Sequence, residues 1–544
     1  MAAETIVGVD VGGTFTDLVV VERKTGRATI SKVPTTPEDQ ASGVLHALAR
    51  SDVRLDQVAA LVHGTTTTTN ALLERKIARV GLITTAGFRD VLELGRRTRP
   101  KPYGLLGSFE PLIPRERRLE VAERMTAAGD VLVPLDEDAV RDAVQHLREL
   151  GCQALLIHFL HAYANPSHER RASEIARELW PDAWITIGSA VLSEFREYER
   201  GVTAAVEAAV RPVLAGYLGR LEEGLRAQGF TRELLVMQGN GGSASAAVVT
   251  DKAVTTVMSG PASGVMAAAA LARATGRRQL ITYDMGGTST DVGLILDGLP
   301  AVTAELELEY AMPIHVPMVD VHTIGAGGGS IATVDEAGLL RVGPASAGAV
   351  PGPVCYGRGG TEPTITDANL LLGRLDPKRL LAVPSAADLD AVRRAVVERV
   401  GQPLGLDAED AAAAIIRIAN DRMAGAIRMV SLARGHDPRD FALMAYGGAG
   451  PLHASAIARE LGIPTVLVPA RPGITNAIGC AIADLRQDLV NTLNRPLDAL
   501  AAGEVEEALA AQEAIGRRWL DDQQVHLEDV AVRRFADMQF EGQT

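Results

Sequence analysis

One eight-residue pattern occurs twice in this chain and constrains its fold more than any other feature. Residues 10–17 read Asp-Val-Gly-Gly-Thr-Phe-Thr-Asp, and residues 284–291 read Asp-Met-Gly-Gly-Thr-Ser-Thr-Asp, so that six of the eight positions are identical. Each copy lies between two short runs of aliphatic residues. A strand, a Gly-Gly turn and a second strand are typical of a β-hairpin, since glycine accepts the positive φ that tight turns require. The sequence therefore predicts two hairpins of the same kind.

The turns of these hairpins have the chemistry of a phosphate site. They offer backbone N–H groups and threonine hydroxyls, which bind anionic oxygens. The pattern is not a P-loop, because no lysine follows the glycines and no helix begins there. Two ordinary hairpins with turn-forming residues are the alternative interpretation. The repetition, with Asp at both ends of each copy, favours a binding function.

Composition and charge narrow the class of protein. The chain has 544 residues, of which 47% are apolar, so it has room for two to four domains with large cores. The net charge of −14 argues against general nucleic-acid binding. No stretch approaches the roughly 18 apolar residues of a membrane span, and no signal peptide is evident. Three widely spaced cysteines form neither a metal knuckle nor a disulfide framework. We expect a soluble cytoplasmic protein with no nucleic-acid or membrane partner.

Helix and strand patterns alternate along the chain. An amphipathic helix at residues 136–150 leads into a strand at 154–159, and long helices are predicted near 194–227 and 409–434. The β–α–β alternation predicts an α/β fold, with a mostly parallel sheet and helices around it.

A threonine-rich segment follows the strand at residues 59–62. His63 and Gly64 precede five threonines at 65–69. In one interpretation the hydroxyls only cap a helix N-terminus. In the other, the hydroxyls and the helix dipole face an anion. Because His63 begins the segment, we favour function and treat His63 as a candidate catalytic residue.

Two later segments carry further candidates. Four glycines fall within residues 325–329, where the backbone must approach a ligand or another strand closely. Just before them, His315, Asp320 and His322 have the chemistry of metal ligands. Strand geometry puts Asp320 and His322 on one face and His315 on the other, which weakens a three-ligand site. They are candidates for a second divalent metal or for contact with the substrate.

The strand at 441–446 enters Gly447-Gly448-Ala449, where a nucleoside can lie against backbone without meeting side chains. The paired hairpins with this late turn resemble the superfamily of actin, sugar kinases and chaperone ATPases. This resemblance implies two ribonuclease-H-like domains of the actin-like ATPase type, with a nucleotide cleft between them. Each domain contributes one phosphate hairpin, and the second also supplies the adenosine loop.

More closely, the chain resembles the hydantoinase A / 5-oxoprolinase / acetone carboxylase β-subunit family over nearly its whole length. The matching stretches are Gly8 to Asp17, His63 to Glu74, Gly87 to Gly95, Val257 to Gly264, Tyr283 to Asp291, His315 to Ser330, Cys355 to Asn369 and Tyr446 to His453.

The resemblance implies three parts of the chain. They are an N-terminal actin-like domain of hydantoinase/oxoprolinase type (1–195), a central hydantoinase A ATPase domain (196–495) and the start of an incomplete C-terminal domain (496–544). Members of this family usually continue well past the point where this chain stops. Residues 530–544 alternate as a strand, and a strand without its sheet leaves backbone groups unpaired. Either another polypeptide supplies the partner strands or the chain is shortened, and a hydantoinase B-type subunit is the expected partner of a hetero-oligomer.

The resemblance also implies site roles and a reaction. Asp10 and Asp284 hold Mg²⁺, since hard cations prefer carboxylate and water oxygens. Asp17 and Asp291 stabilise their own hairpins. The residues expected to contact ATP are Gly12, Gly13, Thr14, Thr16, Gly286, Gly287, Thr288, Gly447, Gly448 and Ala449.

Phosphorylation of a cyclic amide carbonyl would prepare the ring for hydrolysis, as in a hydantoinase or 5-oxoprolinase. The alternatives are the ATP-using β-type subunit of an acetone- or acetophenone-like ketone carboxylase, and a non-catalytic actin-like nucleotide switch.

Overall fold

A computed structural model describes residues 5–36, 39–51, 53–96, 98, 103, 109–380, 383, 386–493, 495–523, 525 and 529–540. Strands and helices alternate through most of this length, which confirms the predicted α/β class.

The strands are β1 (Thr5–Val11), β2 (Phe15–Glu22), β3 (Ala28–Pro34), β4 (Val58–Thr65), β5 (Val80–Thr85), β6 (Arg118–Val121), β7 (Arg124–Met125), β8 (Val131–Val133), β9 (Ala154–His158), β10 (Trp184–Ile187), β11 (Leu234–Met237), β12 (Ser243–Ser245), β13 (Leu280–Met285), β14 (Thr290–Leu296), β15 (Leu299–Pro300), β16 (Val302–Glu307), β17 (Pro313–Val319), β18 (Val321–Ile324), β19 (Ser330–Val334), β20 (Leu340–Ser346), β21 (Ala442–Tyr446) and β22 (Thr465–Leu467).

The α-helices are α1 (Gln40–Ala49), α2 (Thr67–Leu73), α3 (Val91–Leu94), α4 (Glu137–Glu149), α5 (Ser167–Leu179), α6 (Gly188–Val191), α7 (Glu197–Ala227), α8 (Ala246–Asp251), α9 (Ser259–Thr275), α10 (Ile365–Leu371), α11 (Leu389–Val396), α12 (Gln402–Leu404), α13 (Ala408–Val430), α14 (Gly450–Leu461), α15 (Thr475–Ala481) and α16 (Ala502–Asp522).

The two repeated patterns form two hairpins, as predicted. The first joins antiparallel strands β1 and β2, and the second joins antiparallel strands β13 and β14. Each hairpin lies in a sheet of its own, in the orders β12-β11-β4-β1-β2-β3 and β15-β14-β13-β21-β22. In both sheets the first strand of the hairpin pairs in parallel with a later strand, β4 or β21. The two sheets therefore repeat one topology around the two copies of the pattern.

A third sheet is entirely parallel, in the order β10-β9-β5-β6. Its helices α4 and α5 pack against each other and bury apolar faces that include Val144 and Ile175. This sheet accounts for the predicted β–α–β alternation.

The first sheet draws strands from two distant parts of the chain. Strands β11 and β12, residues 234–245, pair beside β4, so this sheet extends beyond residue 195. The boundaries at 195 and 495, and the actin-like two-domain layout, stay predictions.

Helix α15 positions the site because it packs without gaps against the first sheet and against α9. A Cβ on Gly8 of β1 would lie 2.1 Å from the carbonyl oxygen of Ala477. A Cβ on Gly479 would lie 1.9 Å from the carbonyl oxygen of Ser263 in α9. Only glycine fits at these two crossings, so they fix the place of α15 between the two hairpins.

The predicted terminal strand is not found in the described residues. Residues 529–540 carry no regular secondary structure, and large apolar side chains such as Phe535 are exposed there. Residues 541–544 of that prediction lie outside the described residues. Alternation alone was a weak signal here, because a strand needs a neighbour to supply its hydrogen bonds. Among the described helices, none combines the length and the apolar character that crossing a membrane requires.

Candidate functional site

The two hairpin turns meet. A Cβ on Gly287 would lie 2.5 Å from the Thr14 hydroxyl oxygen, and a Cβ on Gly13 would lie 3.9 Å from the Thr288 hydroxyl oxygen. Each threonine thus faces a glycine of the other turn. Gly13 and Thr288 remain exposed. The structure therefore brings the predicted phosphate-binding residues of both copies to one place.

Each hairpin has a pair of aspartates at its base. Asp10 lies opposite Asp17 in the strand register, and Asp284 lies opposite Asp291. Asp10 is 6% exposed and Asp284 is 7% exposed. Burial, together with the neighbouring carboxylates, raises the pKa of Asp10 to about 7 and that of Asp284 to about 8. The folded protein thus disfavours the ionised form of both acids.

The late glycine turn belongs to the same site. Gly447 has a φ of +79°, and a Cβ there would lie 2.3 Å from a carboxylate oxygen of Asp284. The turn is held by hydrogen bonds from the Gly447 N–H to the Pro472 carbonyl (2.9 Å) and from the Ala449 N–H to the Met285 carbonyl (3.0 Å). A Cβ on Gly448 would meet open space, so the backbone there is accessible to a ligand.

The glycines at 325–329 approach another piece of backbone. The N–H of Gly328 donates to the Gly286 carbonyl (3.0 Å), and the N–H of Gly329 donates to the Gly287 carbonyl (2.7 Å). A Cβ on Gly327 would lie 2.5 Å from the backbone nitrogen of Thr288. The sequence predicted that these glycines approach either a ligand or another strand. In the structure they approach backbone, that of the second hairpin turn. These glycines hold the turn in place.

The threonine-rich segment connects to helix α9. The Ser259 hydroxyl donates to the Thr65 carbonyl (3.0 Å), and the Met258 N–H donates to the Thr69 hydroxyl (3.2 Å). These bonds place Gly260 beside Asp10, since a Cβ there would lie 3.7 Å from Asp10 Oδ1. Thr65 and Thr69 thus help to fix the start of α9 at the first hairpin, and contact of the threonine hydroxyls with an anion stays a prediction.

His63 does not join this site. It precedes Gly64, the β4 residue that pairs with Asp10, so its side chain lies on the opposite face of the sheet. Its Nε2 lies 2.7 Å from the Tyr217 hydroxyl of α7, and the residue is fully buried. Burial lowers the pKa of His63 to about 3. The predicted catalytic role does not fit this position, and the strand parity of His63 against Asp10 was the signal that could have shown it.

The three candidate ligands of a second metal are dispersed, which corrects that prediction. His315 lies between Glu194 (3.1 Å) and Glu305 (2.8 Å), which contact different ring nitrogens. Asp320 instead pairs with Arg434. In the described part of the chain, no three His, Cys, Asp or Glu side chains are arranged to hold a metal ion. His322 lies opposite Val292 of β14 in the strand register.

Thr16 also differs from its predicted role. It is fully buried, and its hydroxyl lies 3.3 Å from that of Thr35, so direct contact with ATP does not fit this position.

The sequence reasoning missed two residues of the site. Lys32 on β3 donates to Asp17 (2.6 Å) and to the Gly473 carbonyl (3.1 Å). Asn476 on α15 donates to Asp284 Oδ2 (3.1 Å). Lys32 lies opposite Asp17 in the β2–β3 register, so extending the predicted hairpin by one strand would have found it. No local signal marks Asn476, because only the packing of α15 brings it there.

The residues present fit a magnesium–nucleotide ligand. Asp10 Oδ1 is buried and has no hydrogen-bond partner among the described residues. Such an oxygen is costly to bury unless something pairs with it. Carboxylate oxygens are ligands that Mg²⁺ prefers, and glycine turns with hydroxyls suit phosphate. Asp10 and Asp284 would hold the metal, and residues 12–14 and 286–288 would contact the phosphates.

Comparison with known proteins identifies the family. The chain is 39% identical over 503 residues to caprolactamase subunit alpha of Pseudomonas jessenii, covering 90% of this chain and 72% of that one. It is 32% identical to 5-oxoprolinase 1 of Arabidopsis thaliana over 88% of this chain, but spans only 41% of that longer protein.

Two solved structures share the fold. The ATP-dependent caprolactamase from Pseudomonas jessenii superimposes with a TM-score of 0.83 at 36% identity, covering 95% of this chain and 77% of that chain. The nucleotide-free acetone carboxylase superimposes with a TM-score of 0.81 at 28% identity, covering 95% and 76%.

The family profiles agree with these relatives. A profile described as the hydantoinase/oxoprolinase N-terminal region matches residues 6–180, and one described as hydantoinase/oxoprolinase matches residues 200–489. The chain therefore belongs to the hydantoinase/oxoprolinase family.

Proposed function

We propose that this protein is the ATP-using subunit of an amidohydrolase that activates the carbonyl of a cyclic amide by phosphorylation, so that the ring is opened by hydrolysis. The observation that carries this proposal is the meeting of two Gly-Gly-Thr hairpins above buried aspartates. Such an arrangement serves phosphoryl transfer, in which catalysis consists mainly of positioning and charge neutralisation.

Different residues of the chain bind the phosphates and the metal in this proposal. Residues 12–14 and 286–288 grip the phosphates of ATP from two sides, through backbone N–H groups and the hydroxyls of Thr14 and Thr288. Asp10 and Asp284 hold the metal. When bound, Mg²⁺ neutralises charge on the transferred phosphoryl group and orients it.

The turn at 447–449 receives the adenosine in this proposal. Its glycines expose backbone beside Asp284, so a nucleoside there would lie next to the metal site. Helix α9 begins beside Asp10, and its positive dipole end would favour the phosphates on that side.

The choice of a cyclic amide is supported by the relatives. The relative of 39% identity is named a caprolactamase subunit, and a more distant one is named a 5-oxoprolinase. Both names refer to the opening of a lactam ring.

Ketone carboxylation is the second candidate. It is supported by the structural match to acetone carboxylase and by 35% identity to the acetophenone carboxylase gamma subunit of Aromatoleum aromaticum. Here the phosphoryl group would go to an enol oxygen and prepare a C–C bond. Both reactions use the same hairpins, so the hairpins do not distinguish them.

We further propose that the protein works with a hydantoinase B-type partner subunit. Several relatives are themselves named as subunits. The activity assay described below therefore includes the hydantoinase B-type subunit.

The test supplies the protein and the partner subunit from its genomic neighbourhood with ATP and Mg²⁺. One arm adds a lactam panel of hydantoin, 5-oxoproline and caprolactam, and the other adds a ketone with bicarbonate. Lactam-stimulated phosphate release with ring-opened product supports the amidohydrolase. Stimulation only by ketone and bicarbonate selects the carboxylase, and ATP turnover stimulated by neither favours the non-catalytic switch.

The matched variants are Asp10→Ala and Asp138→Ala. Asp10→Ala should abolish ATP hydrolysis with the fold intact, whereas Asp138 is 98% exposed on α4 and its removal should change nothing. Survival of turnover in Asp10→Ala would mean that the hairpin assignment is wrong.

A further inference from the structure

Asn476 occupies a position that connects the two hairpins. Its Nδ2 donates to Asp284 Oδ2 of the second hairpin (3.1 Å). The same amide also lies near Asp10 of the first hairpin, where it lowers a pKa that burial raises. The side chain therefore bonds to the second copy, while helix α15 that carries it packs on strand β1 of the first copy.

The two orphan oxygens of this region face one helix. Asp10 Oδ1 and Asn476 Oδ1 are both buried without a hydrogen-bond partner among the described residues. A Cβ on Gly264 would lie 2.4 Å from Asn476 Oδ1, and a Cβ on Gly260 would lie 3.7 Å from Asp10 Oδ1. Gly260 and Gly264 are four residues apart on α9, so they share a face of that helix. The small face of α9 makes room for both groups.

The backbone that carries Asn476 is held from two sides. Helix α15 touches β1 at Gly8 and α9 at Gly479, at distances that only glycine permits. The packing of α15 therefore fixes the position of the Asn476 amide beside Asp284, and this position does not depend on a long, freely rotating side chain.

The chemistry of an amide suits this place. A lysine or arginine would neutralise the carboxylates and compete with a cation, and another carboxylate would add repulsion. An amide donates a hydrogen bond to a carboxylate without changing the net charge. The acids thus keep their full attraction for a divalent metal.

We propose that Asn476 is a positioning residue that holds the Asp284 carboxylate of the second hairpin in place from a helix packed on the first hairpin's strand, so that both hairpins bind the same metal–phosphate unit. This inference rests on the proposed nucleotide site, and it adds a third element, α15, to the two hairpins. Asn476 acts through Asp284 and does not itself meet the phosphates.

The test measures the affinity of the full chain for ADP by calorimetry, with excess Mg²⁺ and with EDTA. A hydrogen bond to a charged group contributes about 1.5–3 kcal/mol, so Asn476→Ala should weaken Mg²⁺-dependent binding about tenfold or more. Binding in EDTA should change by less than about twofold, because the carboxylates matter only when the metal is present.

Two further variants separate positioning from packing. Asn476→Asp keeps the shape of the side chain and removes the donor, so it should weaken Mg²⁺-dependent binding at least as much as Asn476→Ala. Asn240→Ala is the matched control, since Asn240 donates to Asp488 (2.8 Å) away from the hairpins. It should leave both affinities within about twofold of the wild type.

The outcomes distinguish this inference from the proposed function. A wild-type protein without Mg²⁺-dependent ADP binding would overturn the proposed function. Wild-type binding that Asn476→Asp retains, or an equal loss with Mg²⁺ and with EDTA in Asn476→Ala, would overturn the role of Asn476 alone. If Asn476→Ala does not fold, as judged by its thermal transition, the isosteric Asp variant decides the question.

Discussion

The first and second hairpins carry almost the same eight residues but are supported in different ways. The first turn is held by Thr35, whose N–H donates to the Thr14 carbonyl (2.9 Å) and whose hydroxyl donates to the Gly12 carbonyl (2.8 Å). The second turn is held by backbone alone, through the N–H groups of Gly328 and Gly329. One support is a single residue at the end of the neighbouring strand, and the other is a continuous glycine segment.

Their charges are balanced differently as well. Asp17 of the first hairpin has a cation, Lys32, at 2.6 Å. Asp291 of the second accepts a hydrogen bond from the neutral Thr323 hydroxyl (2.6 Å). Burial raises the pKa of both, and Lys32 opposes that rise at Asp17, whereas the pKa of Asp291 reaches about 6. A repeated local sequence therefore gives two electrostatic environments, because distant residues complete each one.

The largest expected effect concerns what the hairpins share. Asp10→Asn and Asp284→Asn should each lower the rate of ATP hydrolysis about 100-fold or more. Each removes a carboxylate proposed to hold Mg²⁺, the cation that would stabilise the transferring phosphoryl group. Steady-state phosphate release, with Asp138→Asn as control, measures it. A variant that keeps its rate would show that only one hairpin serves the metal.

The next effect tests the backbone support of the second turn. Gly327→Ala places a Cβ 2.5 Å from the Thr288 nitrogen, where backbone must shift, and should lower the free energy of unfolding by roughly 3 kcal/mol. Gly12→Ala in the first hairpin meets only the Phe15 carbonyl at 3.2 Å and should cost less. Urea unfolding compares them.

The control for these glycines is Gly219→Ala in α7, where a Cβ meets nothing within 4 Å. It should keep or raise stability, by up to about 1 kcal/mol, since alanine favours a helix over glycine. Equal losses in Gly327→Ala and Gly12→Ala would remove the contrast between the two supports.

A smaller effect tests the charge difference. Lys32→Met leaves the half-buried Asp17 without its cation and should lower the free energy of unfolding by about 2 kcal/mol. Thr323→Val removes a neutral donor from Asp291 and should lower it by about 1 kcal/mol. Both are measured at pH 7 by urea unfolding. A larger loss in Thr323→Val would reverse the comparison.

The smallest effect is the pH dependence of stability without added metal. The pKa of Asp291 is about 6 in the folded chain, whereas its ordinary value, which applies to the unfolded chain, is 3.8. Between these values the folded state keeps a proton that the unfolded state has lost. The stabilising contribution of Asp291 to the free energy of unfolding is therefore complete below pH about 3.8, and it disappears as the pH rises through about 6. Asp291→Asn should flatten this decline in urea unfolding measured in EDTA. An unchanged slope would show that Asp291 ionises normally.

The sequence was sufficient for features set by local pattern. The two hairpins, the glycine turn after β21 and the long helix α7 follow from alternation, glycine and helical periodicity, and the structure confirms them. The meeting of the turns was expected from the family resemblance. What local pattern could not supply was the face on which a residue ends up when the partner strand is distant in sequence.

His63 and Asn476 illustrate this limit from opposite sides. His63 has catalytic chemistry but points under α7, because β4 pairs with β1 in a register that puts Gly64 beside Asp10. Asn476 belongs to no motif in the sequence but bonds to Asp284, because α15 crosses β1 at Gly8 and so lies beside the second hairpin. His315 and Asp320 likewise found separate partners, which only the tertiary fold decides.

The glycine segment that supports the second turn has a mechanical consequence. Residues 328 and 329 extend the hydrogen bonding of β14 and β18 to the turn itself, so the second hairpin belongs to a stiff body. The first turn receives the same number of bonds from one residue, Thr35, and one of these two bonds comes from its side chain. A side-chain change at Thr35 therefore acts on the first turn directly, whereas the bonds from Gly328 and Gly329 are made by backbone and change only when the path of the chain changes.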